Sequence, residues 1–394
     1  MTPDNNSENI GFEDIKDGGN NEKPYFSYLR SIIFSKTVFI PLVISAISMV
    51  VSLISVFSTP FAEFYSRTAG SFLRMILAKV TGIFPFSVAE TLLAGFVLFL
   101  LYSIFRSVSL IFREPGNCEF EDRANKAVVC AFLCAFSLYN FSFAPSNHRT
   151  PLDENLGIER GPLSAQQLYD CTVKVADQLK ICLDNGDIRR TPDGLSCMPY
   201  SYDELNGVLN SAYRNSYDKY PFLSRFDSVA KRIMLSPLMT YTHISGIYVP
   251  FTGEININTN YPHSVIVFSQ ALEMAHQRGI SREDEANFVA FLVLYESDDY
   301  YLRYCALSEL YDYLTNALYY ADEELFYKAL FSADKRIFYE IRGFSNFFEP
   351  YQNSAASSVI GAVNDVSIKL RGDKNGVRSY DMMVELAVSY FEKH

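Results

Sequence analysis

The sequence predicts a helix-rich α+β protein in two parts, one built for lipid and one for water. Three observations lead there. Of 394 residues, 49% are hydrophobic and 20% charged, and the mean hydropathy of +0.03 lies between a soluble protein and a membrane-only one. The apolar residues are concentrated before residue 144. Beyond it they recur at three- and four-residue steps, with one short alternating stretch. This composition excludes a disordered chain. A net charge of −11 excludes a general nucleic-acid binder, which needs a basic footprint.

Residues 1–30 are polar and acidic, with Asn and Gly runs, and read as a disordered cytoplasmic tail. Residues 31–144 read as a membrane region with transmembrane spans near 38–57, 86–105 and 127–144. Thr37 to Ala62 carries no charge, and Pro41 lies near one end, where a missing helical hydrogen bond costs least. The first run starts too late and is too long for a cleaved signal peptide, so it reads as an uncleaved anchor. Between the first two spans, Phe64 to Lys79 has a helical period. Tyr65, Phe72, Leu73 and Ile76 share one face and Arg67 and Arg74 another. It reads as a helix lying at the bilayer interface or packed on the soluble part.

Orientation follows from the basic residues. Lys16, Lys23, Arg30 and Lys36 precede the first span, and Arg106, Arg113, Arg123 and Lys126 lie between the second and third. On the other side are Arg67, Arg74, Lys79, Arg149 and Arg160. The balance puts the N-terminus inside and residues 145–394 outside, making a multi-pass protein of the cell membrane with an extracytoplasmic domain.

That domain is long enough for a full core. Helical spacing appears at Leu168–Cys182, Leu205–Tyr213, Ser264–Gln277, Glu283–Glu296, Leu302–Tyr320 and Ser379–Phe391. Ile244 to Ile257 alternates like a strand. Its cysteines are Cys171, Cys182, Cys197 and Cys305. Cys171 and Cys182 share one helix about 16 Å apart and cannot pair. Cys182 with Cys197 is feasible across a turn-rich loop, but four buried thiols suit the pattern better.

The chemistry concentrates in Gln270 to Phe288. Glu273 and His276 occupy the second and fifth positions of the zincin pattern His-Glu-x-x-His, where two imidazoles at i and i+4 grip Zn²⁺ and the Glu activates its water. Gly279 follows, where such helices turn to bring in a third ligand, for which Glu283 and Glu285 are placed. The first histidine is replaced by Leu272. One imidazole and one carboxylate make a weak two-ligand site. On spacing alone, the same residues suit an amphipathic helix with an exposed Glu and one satisfied His.

Beyond the spacing, the chain resembles an uncharacterised family of bacterial membrane-anchored, zincin-like proteins, a domain of unknown function. The resemblance rests on Pro85-Phe86-Ser87, on Ser245 through Glu254, and above all on Ala275-His276-Gln277-Arg278-Gly279 followed by Arg282 through Phe288. Asn316-Ala317-Leu318 and Gly376 through Tyr380 add to it. It implies a zincin-like extracytoplasmic domain after the spans. It also implies the motif His-Glu-Leu-Ala-His-Gln-Arg-Gly, with Glu273 as general base, His276 as a metal ligand, and Glu283 or Glu285 as a third. The position of the first ligand falls on Leu272, and this departure puts zinc binding in question.

Replacements for the missing ligand are His263, His243 and Glu254. The acids Glu283, Asp284, Glu285, Glu296, Asp298 and Asp299 do not have Ca²⁺-loop spacing. No nucleophile elbow, P-loop or dinucleotide fingerprint is present. Three roles follow. One is a degenerate metallopeptidase that binds peptides or envelope proteins as a scaffold. A second is an active zinc peptidase with an unusual ligand set. The third is a purely structural envelope protein.

Overall fold

The structure, a computed structural model, describes residues 35–111, 119–352 and 379–394. The polar tail read over residues 1–30 and the motif residues 376–378 lie outside these. The first described element is α1 (Lys36–Phe57), followed by α2 (Thr59–Tyr65), one π turn (Ser66–Gly70) and α3 (Ser71–Gly82). Next come α4 (Val88–Ile111) and α5 (Glu119–Ser142). Among the described residues, three helices are long and apolar enough to cross a membrane: Lys36–Phe57, Val88–Phe105 and Arg123–His148. They agree with the spans read from the sequence.

Helices α1 and α5 pack along each other through small polar groups, the pairing that serves where lipid supplies no hydrophobic drive. Ser45 Oγ lies 2.9 Å from Ser137 Oγ, and Ser52 Oγ donates to Asn140 Oδ1 at 2.7 Å. Helix α4 is held differently. None of its apolar window is buried, and it is fixed at its N-terminus. The Glu254 carboxylate accepts from Val88 N at 2.9 Å and Ala89 N at 2.8 Å, while Ser87 Oγ accepts from Glu90 N at 2.9 Å. These bonds meet amides that a helix start leaves without partners, and the charge complements the helix dipole.

The rest is helical around one small sheet. After α6 (Leu152–Leu156), α7 (Ala165–Asn185) and α8 (Tyr202–Ser216) come β1 (Ala230–Arg232), α9 (Ser236–Thr240), β2 (Gly246–Val249) and β3 (Glu254–Ile257). The strand order is β1-β3-β2, with β1 parallel and β2 antiparallel to β3. The alternating stretch at 244–257 is therefore a hairpin, with a third strand the sequence did not disclose. Helices α10 (His263–Gln277), α11 (Glu283–Tyr295) and α12 (Tyr300–Ala321) form the centre, joined by α13 (Glu323–Ser332), α14 (Ile337–Phe348) and α15 (Ser379–Lys393). Helix α11 is buried nearly all round, from Ala286 to Leu294, as its unbroken apolar run requires. Ser164 and Ser201 start α7 and α8 with full capping boxes. Cys171, Cys182, Cys197 and Cys305 are free thiols, so the feasible Cys182–Cys197 bond is not formed. Burial pushes the Cys171 thiol up to about 12 and Cys182 to about 11.

The two parts meet through buried guanidinium groups. Arg149 holds Glu63 with two bonds of 3.0 and 2.9 Å, and donates to the carbonyls of Gly279 and Phe222, each at 2.9 Å. Arg74 on α3 is fully buried. It donates to Ser142 O at 2.6 Å, Ser66 O at 2.8 Å and Ser224 Oγ at 3.0 Å. Burial lowers its pKa to about 10, and no carboxylate pairs with it among the described residues. Ser142 ends α5, so the cation sits at the negative end of that helix. Helix α3 is thus packed on the sheet-containing part by its Arg74 face, while Phe72, Val80 and Ile83 remain exposed.

The Glu63–Arg149 pair should be visible in stability. Burial raises the Glu63 pKa, but the hydrogen bond and charge of Arg149 outweigh it, so the net shift is downward. Such a carboxylate stabilises the fold above its unfolded pKa, and the contribution is lost as pH falls through the lower folded value. Glu63→Gln should destabilise the full chain in detergent by about 2 kcal/mol at neutral pH. The gap to wild type should shrink below about pH 4. Thermal melts across pH check both, and a gap unchanged by acid refutes the assignment.

Candidate functional site

Helix α10 carries the motif. One helical turn separates Leu272 from His276, so both lie on one face. Leu272 is half-buried against the core. Glu273 is only 6% exposed, unlike the exposed Glu of a surface amphipathic helix. A Cβ added at Gly246 of β2 would lie 3.0 Å from Glu273 Cγ. A glycine there lets the edge strand of the sheet cross closely over the Glu273 side chain.

His276 is 1% exposed. Its Nδ1 lies 2.8 Å from Ile280 O, and a carbonyl only accepts, so Nδ1 carries the hydrogen. That leaves Nε2 facing Glu283 Oε2 at 3.4 Å. Glu283 opens α11, and Gly279 makes the intervening turn at φ +94°. Of the two carboxylates the sequence offered, Glu283 is the one that meets His276.

Glu285, the other candidate ligand, is engaged by different partners. It accepts from Leu152 N at 3.0 Å and Arg282 Nη1 at 2.9 Å. Burial raises its pKa. Asp284 pairs with Arg160. The three acids share the first turn of α11, where the dipole favours them.

The replacement ligands are engaged too. Glu254 caps α4. His263 lies at the far end of α10, about 20 Å away by helical rise, and its Nδ1 accepts from Met198 N at 3.1 Å. His243 Nε2 lies 3.0 Å from Tyr351 O. A catalytic zinc takes three protein ligands and one open position. His276 Nε2 and Glu283 supply two, and the position beside them is the hydrocarbon of Leu272. The residues do not complete a zinc site.

What the motif does build is a joint. Gln277 Nε2 donates to Gly253 O at 2.7 Å. A Cβ at Gly253 would meet Leu77 Cβ of α3 at 2.5 Å, so the hairpin turn abuts α3 only as glycine. Arg278 is fully buried, with its guanidinium 4.1 Å from the Tyr213 ring centroid and bonded to Phe226 O at 2.9 Å. The Gly279 carbonyl accepts from Arg149 Nη1, and a Cβ at Gly279 would lie 2.6 Å from Arg74 Nη2. The sequence could have flagged Arg74 and Arg149 only as charges beside apolar runs, because their acceptors are backbone carbonyls far along the chain. Gly279→Ala combines a positive φ with that clash and should cost about 2–3 kcal/mol, read as a lower thermal midpoint. A midpoint equal to wild type would show that the junction is not packed this way.

No curated protein and no solved structure matches the chain. A family model, described as Protein of unknown function (DUF3810), matches residues 65–388. The match begins at the last residue of α2 and runs into α15, covering α4, α5, the sheet and the α10–α11 pair. The chain therefore belongs to the DUF3810 family of proteins of unknown function.

Proposed function

We propose that this is a membrane-anchored, zincin-like protein whose site binds rather than cleaves, a degenerate metallopeptidase serving as a scaffold for a peptide or envelope protein. The Lys/Arg balance supports a C-terminal part that faces away from the cytoplasm, and three membrane-length helices among the described residues support a location in the cell membrane. The observation that carries the reading is the pairing of His276 Nε2 with Glu283 at 3.4 Å beside Leu272. Two ligand-type groups turn toward each other where a third would complete a metal site. Strand β2 supports the binding role. It is an edge of the sheet, it runs beside α10, and an extended peptide can add to such an edge through main-chain bonds.

A second reading, an active zinc peptidase with Glu273 as general base, draws on one feature. The Nδ1 hydrogen of His276 is fixed on a carbonyl, the arrangement that points the other ring nitrogen at a metal. Elemental analysis of the full chain purified in detergent separates the readings. Wild type should hold well under one zinc per chain, Leu272→His about one, and Leu272→His with Glu283→Gln markedly less. Zinc near one per chain in wild type, with peptide cleavage abolished in Glu273→Gln, would establish the second reading. A Leu272→His chain that folds but stays empty would remove the zincin reading altogether.

A further inference from the structure

The soluble part carries an apolar patch that the core does not use. After β1 the chain runs through Met234, Leu235 and Leu238, which are 81%, 60% and 65% exposed. Large apolar side chains clustered this way mark a surface that something covers. The position of the patch identifies what. Glu90, in the first turn of α4, accepts from Met234 N at 3.0 Å through Oε2 and from Leu235 N at 3.2 Å through Oε1. Lys231, on β1 just before the patch, donates to Phe84 O and Gly82 O in the segment leading into α4. That segment also shows exposed Ile83, Phe84 and Phe86. The patch therefore adjoins the start of a helix whose apolar window is wholly exposed.

We propose that Met234, Leu235 and Leu238 dip into the acyl–headgroup boundary of the bilayer that α4 crosses, making this loop a second membrane contact of the soluble part. A helix that spans has its first turn at the interface. A loop bonded to that turn lies within a side chain's length of the same level, and apolar side chains at that depth enter the boundary layer. Lipid, rather than another protein, is the occupant because the patch is continuous with the lipid-facing surface of α4. The inference is independent of the zinc question.

The chain contains no tryptophan, so a single introduced indole reports alone. Leu238→Trp in the full chain, reconstituted in phosphatidylcholine nanodiscs, should emit at shorter wavelength than Phe331→Trp, whose site on α13 is 86% exposed. Replacing the lipid with brominated phosphatidylcholine should quench Leu238→Trp at least about twofold and leave Phe331→Trp unchanged. Emission from Leu238→Trp as red as the control, with quenching by aqueous iodide, would overturn the proposal. So would a blue-shifted Leu238→Trp that brominated lipid does not quench, since protein would then cover the patch. Equal lipid quenching at both sites would also overturn it.

Discussion

The architecture depends on placing two guanidinium groups where water cannot reach them. Burying a charge is costly unless every donor finds an acceptor. Arg149 answers with the Glu63 carboxylate and two carbonyls. Arg74 meets no acid among the described residues; its Nη1 and Nη2 rely on main-chain and hydroxyl oxygens from three separate segments, the π turn, the end of α5 and Ser224, while its Nε meets no acceptor there. These acceptors belong to both halves of the molecule. The membrane-length helices and the sheet-containing part therefore form one packed body at this junction, and displacing one half would leave a buried cation without partners.

Glu254 extends the same logic to α4. A helix with no buried side chain in its apolar window has little packing to set its position, yet its first amides are met by a carboxylate from β3. Glu90 returns the connection by accepting from the loop after β1. Two carboxylates, one reaching in each direction, fix the start of α4 against the sheet. The position of β2 over Glu273 is thus linked, through two strands, to the position of a membrane-length helix.

Much of the fold was legible because its signals are local. Apolar runs of about 20 residues gave α1, α4 and α5, and three- and four-residue periodicity gave α10, α11, α12 and α15. Strand β1 escaped because three residues carry no period; it exists through parallel pairing with β3, some 25 residues away. Glu254, a candidate replacement ligand from sequence, caps α4, a contact made 166 residues away. Of the candidate site, the sequence singled out His276 and offered Glu283 and Glu285 equally. Only the turn at Gly279 decides that Glu283 faces the imidazole while Glu285 meets Leu152 and Arg282.

The residues that carry the resemblance have a physical explanation that needs no catalysis. Gln277 ties α10 to the hairpin turn, Arg278 fills an aromatic pocket, and Gly279 admits the guanidinium groups of Arg74 and Arg149. Gly253 lets the hairpin touch α3, and Glu254 caps α4. Each is replaceable only at the cost of a clash or an unsatisfied buried group, whatever happens at position 272. A chain can therefore lose a metal ligand to leucine and still keep the rest of the signature for mechanical reasons. By the same reasoning, the signature supports a shared architecture more strongly than a shared reaction. Under the proposed reading, any metal chemistry would rest on position 272 and the His276–Glu283 pair, the part of the motif that the junction does not require.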